Sequence, residues 1–143
     1  MGLFTRILVA YDGSSGSTRA LNTAVQLAGE RGAALLVLSV IEHLPRYAAT
    51  IGEVNETVRE QTQALQDSQR RAHAIAQEYG VTVVKTMIEA GHPAQLIISV
   101  AERERADLLV LGRSGHSQVW GRFMGSTADK ITRHAPCSVL IAY

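Results

Sequence analysis

Five short apolar runs alternate with helix-like segments along the 143-residue chain. They cover residues 7–11, 35–41, 81–88, 108–111 and 138–141. The runs are rich in Val, Ile and Leu, which is typical of strands that are buried on both faces between layers of helices. Strands that alternate with helices are joined by right-handed crossovers. The pattern therefore predicts an α/β fold with a mostly parallel sheet that is covered on both faces.

The segments between the runs carry signals for the ends of helices. Gly32 follows an apolar stripe with helical spacing, and Gly80 follows a long polar segment. A glycine at this position commonly ends a helix. Pro93 suits the first turn of a third helix. Ser126 and Asp129 resemble a capping box, which predicts that a fourth helix begins with Ser126 as its cap.

The composition is that of a folded, soluble protein. Hydrophobic residues make up 46% of the chain and charged residues 19%, which argues against disorder. The formal net charge of +1 gives no overall attraction for nucleic acid or an acidic membrane. The longest apolar stretch, residues 33–38, is far shorter than the ~20 residues that cross a bilayer. We therefore expect a single cytoplasmic domain over residues 1–143, with neither nucleic acid nor membrane as a partner.

Two of the predicted strand ends carry residues that suit a ligand site. The first run ends in Asp12 and a turn rich in Gly and Ser, and the fourth run ends in Gly112. Ligands of open α/β sheets bind beyond the carboxyl ends of the strands, where the strand order reverses. A glycine at a strand end lets the backbone turn sharply or approach a ligand closely. These two strand ends are therefore the first candidates for a binding site.

The connection after the fourth strand has features of a phosphate-binding segment. Gly125 and Ser126 stand where a helix begins, and helix N-termini attract phosphate through their N–H groups and the helix dipole. Arg113, Arg122 and Lys130 place positive charge in the same stretch. A polyphosphate site and a purely structural loop both fit this pattern. The chain has no G-x-x-x-x-G-K-[ST] motif and no G-x-G-x-x-G after the first strand, so the standard NTPase and dinucleotide sites lose their main support.

A more specific pattern spans the same connection. Gly112, Gly115, Gly125 and Ser126 are spaced as G-x2-G-x9-G-[ST], which resembles the ATP-binding signature of the universal stress protein family. Other segments resemble the family's opening strand with its acidic turn, its second strand, the turn before its third helix and its ending. They lie at residues 7–14, 38–41, 91–93 and 134–140. These elements follow the order of the family, and the resemblance covers the whole chain.

The resemblance implies a three-layer α/β/α sandwich with a five-stranded parallel sheet in the order 3-2-1-4-5. The glycine signature implies the ATP-binding branch of the family. The matching positions of the family imply that Asp12 contacts the ribose or adenine and that Val40 contacts adenine through its backbone. They also imply that the glycines of the signature line the ribose and phosphates, and that Ser126 and Thr127 help to hold the phosphates. Two further residues join the predicted set, Arg113 for its charge and His116 for its place in the signature. The predicted nucleotide-binding residues are Asp12, Val40, Gly112, Arg113, Gly115, His116, Gly125, Ser126 and Thr127.

The resemblance also implies a homodimer that forms through the last strand. The strand residues concerned are Ser138, Val139, Leu140 and Ile141. This strand is strongly apolar and is expected at the edge of the sheet, where an unprotected strand tends to pair with another chain. Magnesium is expected only through phosphate oxygens, because it binds few protein ligands. The chain's single cysteine, Cys137, excludes a multi-cysteine metal site, and no dedicated metal site is predicted.

The leading hypothesis is a nucleotide-dependent regulatory or protective module in the stress response, with no catalytic residue. Three alternatives stay open on the sequence. The first is a slow ATP hydrolase or nucleotidyl transferase that uses Asp12 as a general base, and the second is a nucleotide-free dimeric interaction module. The third is a flavodoxin-like electron carrier that uses the hydroxyl-rich segment 14–18, although aromatic residues for flavin stacking make up only 5% of the chain.

Overall fold

The computed structural model describes residues 2–42, 51–113 and 125–143, with residues 51, 53 and 54 described by their backbone alone. Strands and helices alternate throughout these residues. The elements are β1 (Arg6–Ala10), α1 (Ser15–Arg31), β2 (Ala34–Ile41), α2 (Ile51–Glu78), β3 (Val83–Ala90), α3 (Pro93–Arg103), β4 (Leu108–Gly112), α4 (Ser126–His134) and β5 (Ser138–Ala142). None of the helices in the described ranges is long and apolar enough to cross a membrane.

The strands form one parallel sheet in the order β3-β2-β1-β4-β5. Strand β1 is central, because Ile7 pairs with Leu35 of β2 on one side and with Leu108 of β4 on the other. The predicted fold and strand order are confirmed. The order reverses between β1 and β4, so the carboxyl ends of these two strands mark the place where a ligand is expected.

Each face of the sheet carries its own hydrophobic core. Ile7, Val9 and Val37 pack on the face covered by α1 and α2. The alternate residues Leu8 and Leu36 pack on the face covered by α3 and α4. Each fully buried aliphatic side chain contributes about 1.5–3 kcal/mol to folding. This double burial explains why the strand sequences are continuous apolar runs and not alternating ones.

The predicted helix ends are confirmed at three of four places. Gly32 and Gly80 end α1 and α2 with φ of +64° and +70°, a conformation that glycine adopts without strain. Pro93 lies in the first turn of α3. The predicted capping box of α4 is wrong, because the cap residue is Gly125, which has no side chain, and Ser126 is already the first helical residue.

A carboxylate closes the opposite, amino edge of the sheet. Asp107 accepts hydrogen bonds from the backbone N–H groups of Thr5 (2.7 Å) and Arg6 (2.9 Å). Burial acts to raise the pKa of Asp107, but these hydrogen bonds outweigh it, and the pKa is lowered. The contact joins the start of β1 to the start of β4 at the amino edge of the sheet, opposite the edge where a ligand is expected.

Candidate functional site

A cavity of 330 Å³ opens at the carboxyl edge of the sheet, between the ends of β1, β2 and β4 and the helices α3 and α4. Seven of the nine predicted nucleotide-binding residues line it. They are Asp12, Val40, Gly112, Arg113, Gly125, Ser126 and Thr127. Gly115 and His116 lie outside the described residues, as does Arg122 of the predicted positive stretch.

The acidic turn after β1 is held in place by hydrogen bonds. The Oδ1 atom of Asp12 accepts from the backbone N–H of Ser14 at 2.9 Å and from the hydroxyl of Ser17 at 2.7 Å. Ser14 is also the N-cap of α1, and its side chain accepts from the N–H of Ser17. The first turn of α1 is thus capped by the chain itself, and the Asp12 carboxylate lies beside the positive end of that helix.

Helix α2 packs closely against the same turn at Gly13. Gly13 has φ of +86°, and a Cβ atom built on it would lie 2.8 Å from Ser68 Oγ and from Arg71 Nη2. The backbone conformation therefore favours glycine at this position, and any side chain here would also displace the ends of Ser68 and Arg71.

The carboxyl end of β2 offers backbone groups to the cavity. The carbonyl of Leu38 accepts from the N–H of Tyr11 on the β1 side, whereas the carbonyl of Ile41 accepts from the N–H of Gly91 on the β3 side. Backbone groups of successive strand residues point to opposite sides, so those of Val40 point to the β1 side. The pairing of β1 with β2 ends at Leu38, before this residue. Val40 therefore presents an N–H donor and a C=O acceptor to the cavity, beyond the end of β1.

Apolar side chains form the wall beside these backbone groups. Val40 and Leu38 contribute from β2, and Pro93 and Ile97 contribute from α3. Ile97 is almost fully buried. A slot with apolar sides and a few backbone donors and acceptors is suited to a flat heterocycle.

The N-terminus of α4 faces the cavity without a side-chain cap. The N–H of Gly125 donates to the carbonyl of Arg113, and the N–H of Asp129 donates to the carbonyl of Gly125. Between them lie the N–H groups of Ser126, Thr127 and Ala128, which belong to the first turn and have no carbonyl to bond within the helix. Such a turn is an anion-binding arrangement.

Arg113 adds positive charge at this end of the cavity. Its guanidinium carbon lies 5.0 Å from the centre of the Tyr143 ring, a cation–π contact. Its backbone N–H donates to the carbonyl of Ala142. Ala142 and Tyr143 therefore hold Arg113 in place at the start of the connection that is predicted to bind phosphate.

Gly112 brings the acidic turn and the phosphate end together. A Cβ atom on Gly112 would lie 2.5 Å from the carbonyl oxygen and 2.7 Å from the carbonyl carbon of Gly16, in the first turn of α1. Backbone atoms at this distance cannot yield without moving the helix. The sequence predicts a ligand contact for Gly112. In the structure, α1 can also lie against the end of β4 only because this residue has no side chain.

Gly16 and Ser17 were not among the predicted nucleotide-binding residues. Segment 14–18 follows the acidic turn and was also considered as a flavodoxin-like phosphate loop, but its hydroxyls bond within the segment and to Asp12. The spacing Asp12-x-Ser14 is typical of a turn in which the carboxylate accepts from the N–H two residues later. That signal was present in the sequence. The close approach of Gly16 to Gly112 depends on tertiary packing and had no local signal.

No group of three or more His, Cys, Asp or Glu side chains within residues 2–42, 51–113 and 125–143 is arranged to hold a metal ion.

The groups that line the cavity follow the order of the strands. The Val40 backbone and the apolar wall lie at β2, Asp12 lies at β1, and Gly112 with the N-terminus of α4 lies at β4 and beyond. Neighbouring strands are about 4.8 Å apart. A flat slot, a carboxylate and an uncapped helix N-terminus therefore follow one another along this edge.

Comparison with known proteins places this arrangement in a family. The sequence model of the universal stress protein family matches residues 3–142. A universal stress protein of Thermus aquaticus is 35% identical over 141 residues, which cover 97% of this chain and 98% of the relative. The chain belongs to the universal stress protein family.

Two solved structures of the family have the same fold. Universal stress protein UspA from Lactobacillus plantarum superposes with a TM-score of 0.90 at 27% identity, over 100% of both chains. A universal stress protein solved in complex with cAMP superposes with a TM-score of 0.76 at 25% identity, over 99% of both chains.

The contact between Gly112 and Gly16 predicts a selective effect of substitution. Gly112→Ala should lower the free energy of unfolding by about 1–3 kcal/mol, because its Cβ meets backbone atoms and displaces α1. Gly91→Ala is the matched control at the end of β3, where a Cβ would lie an ordinary 3.6 Å from the Leu96 side chain. Urea denaturation compares the two variants, and equal stabilities would contradict the role assigned to Gly112.

Proposed function

We propose that this protein binds an adenine nucleotide, ATP in the first place, across the carboxyl edge of its sheet. The observation that carries the proposal is the order of the groups along that edge: flat slot at β2, carboxylate at β1, anion site at α4. Base, sugar and phosphate follow one another in the same order in a nucleotide. The base then lies against Val40, the ribose beside Asp12, and the phosphates at the first turn of α4.

The slot at β2 fits adenine. Adenine carries an exocyclic amino donor next to ring-nitrogen acceptors. The backbone C=O and N–H of Val40 form the complementary pair, and Val40, Pro93 and Ile97 supply apolar surface for the ring faces. Backbone recognition of this kind needs no polar side chain at position 40.

The carboxylate at β1 fits a ribose. An ionised carboxylate only accepts hydrogen bonds, and ribose hydroxyls donate them. The same charge would repel a phosphate, so Asp12 sets the direction in which the nucleotide lies. Its hydrogen bonds to Ser14 and Ser17 favour a fixed acceptor over a mobile general base, and we therefore assign it to binding rather than to ATP hydrolysis.

The first turn of α4 fits the phosphates. The N–H groups of Ser126, Thr127 and Ala128 and the positive end of the helix dipole suit an anion. Arg113 adds a full positive charge to this end of the cavity. In the family signature Gly115 and His116 belong to the same segment. Magnesium would be held by the phosphate oxygens and by water, since few protein ligands are needed for this ion.

Family membership supports the biological role that we propose. The chain acts as a nucleotide-dependent regulatory or protective module of the stress response in the cytoplasm, and not as a catalyst. The relative solved in complex with cAMP holds an adenine nucleotide in the same fold, which supports the ligand class.

Removal of a single backbone donor tests the phosphate site. Ser126→Pro removes the first N–H of α4, yet proline suits the first position of a helix. The preceding residue, Gly125, has φ −62° and ψ 156°, which are compatible with a following proline. Because a hydrogen bond to a charged group contributes about 1.5–3 kcal/mol, we expect calorimetry to show ATP binding about tenfold weaker or more.

Ser126→Ala is the matched control, since it removes the hydroxyl and keeps the N–H. It should bind ATP more tightly than Ser126→Pro, and both variants should bind adenosine like the unsubstituted protein. Unchanged ATP affinity in Ser126→Pro would place the phosphates elsewhere. Absence of ATP binding by the nucleotide-stripped, unsubstituted protein would reject the proposed function itself.

We also propose that the protein is a homodimer paired through β5. This strand pairs with β4 and lies at the edge of the sheet. The carbonyl of Ala142 accepts from the N–H of Arg113 on the β4 side, so the backbone groups of Val139 and Ile141 point away from the sheet. The side chains of Val139, Leu140 and Ile141 are half-buried. An apolar edge of this kind is suited to pairing with a second copy.

Val139→Pro tests this interface. It removes an outward N–H and leaves the pairing with β4 intact, as proline does on edge strands. Sedimentation at micromolar concentration should show a dimer for the unsubstituted protein and for the control Val139→Ala, and a monomer for Val139→Pro. A monomeric unsubstituted protein, or a Val139→Pro variant that dimerises as tightly, would contradict the proposed interface.

A further inference from the structure

The hydroxyl of Ser17 lies at the centre of the hydrogen bonds around Asp12. Its Oγ atom is 2.7 Å from Asp12 Oδ1 and accepts from the Asp12 backbone N–H at 3.2 Å. It also lies 3.1 Å from the carbonyl oxygen of Ser14. The residue is only 9% exposed. The Ser17 hydroxyl therefore contacts both the side chain and the main chain of Asp12.

The single proton of this hydroxyl has one better acceptor. The carbonyl of Ser14 already accepts from the N–H and the hydroxyl of Thr18, both at 2.8 Å. Asp12 Oδ1 is closer to Ser17 and is charged, and hydrogen bonds to charged acceptors are shorter and stronger. The proton of Ser17 thus goes to Asp12.

The position of Ser17 is itself fixed by tertiary packing. It follows Gly16, whose carbonyl group lies against Gly112 of β4. Its backbone N–H donates to the Ser14 side chain in the cap of α1. Helix α1 is held at both places, so the backbone of Ser17 has a fixed position beside Asp12.

From this geometry we infer that Ser17 is a positioning residue: it orients the Asp12 carboxylate so that the site selects a ribose over a deoxyribose. The inference rests on the proposed function, because it assigns the sugar of the nucleotide to Asp12. Ser17 acts through Asp12 and contributes to selectivity for the sugar, whereas the phosphate end at α4 is independent of it.

The test compares the affinities for ATP, 2′-deoxy-ATP and 3′-deoxy-ATP by calorimetry. The unsubstituted protein should bind ATP about tenfold or more tightly than the weaker of the two deoxy analogues, as expected for one hydrogen bond to a carboxylate. In Ser17→Ala this ratio should fall at least about threefold, because the carboxylate loses a donor that orients it. ATP itself should bind more weakly.

Thr23→Ala is the control on the same helix. Thr23 donates its hydroxyl to the carbonyl of Arg19, away from the cavity, so its loss should leave the ratio unchanged. Circular dichroism shows whether Ser17→Ala folds. If it does not, Ser17→Cys is a second variant. A thiol is of similar size but a weak donor, so the ratio should also fall in this variant.

The outcomes separate the two proposals. A ratio that stays high in folded Ser17→Ala or Ser17→Cys would overturn the role of Ser17, as would a ratio near one in the unsubstituted protein. Either result leaves ATP binding itself intact. An unsubstituted protein that binds none of the three nucleotides would overturn the proposed function and the inference together.

Discussion

The contact between Gly16 and Gly112 is the constraint on which the rest of the site depends. With no side chain on Gly112, the first turn of α1 lies directly against the end of β4. This contact brings the turn that carries Asp12 next to the strand that leads to α4. A methyl group at Gly112 would separate them. The site is therefore a consequence of how closely a helix can approach a strand, and not only of which polar residues surround it.

The two helix N-termini at this edge differ in a way that assigns their roles. The first turn of α1 is closed by the side chain of Ser14, and the Asp12 carboxylate lies beside it. The first turn of α4 begins at Gly125, which has no side chain to close it. The cap of α1 thus satisfies the N–H of Ser17, whereas the first turn of α4 has no side-chain cap and is open to the anion that we propose. The cavity consequently has a negative end and an end that attracts negative charge.

Much of the fold could be predicted from the sequence, because apolar runs and helix-ending residues are local signals. The runs predicted the strands, Gly32 and Gly80 predicted helix ends, and the family resemblance implied the strand order. Seven of the nine predicted site residues line the cavity, and their contact with a nucleotide stays a prediction. The cap of α4 was mispredicted, since Ser126 has a capping side chain but lies one residue inside the helix. The close approach of Gly16 to Gly112 depends on where α1 packs, and sequence spacing alone does not contain that information.

In the complex that we propose, a nucleotide lies along the β2-β1-β4 edge with its phosphates on the first turn of α4. The most direct measurement is the backbone amide spectrum of ¹⁵N-labelled protein, recorded with adenosine and then with ATP. Both ligands should shift the amide of Val40, but only ATP should shift those of Ser126, Thr127 and Ala128 strongly. Equal shifts at α4 with adenosine, or none there with ATP, would contradict the account.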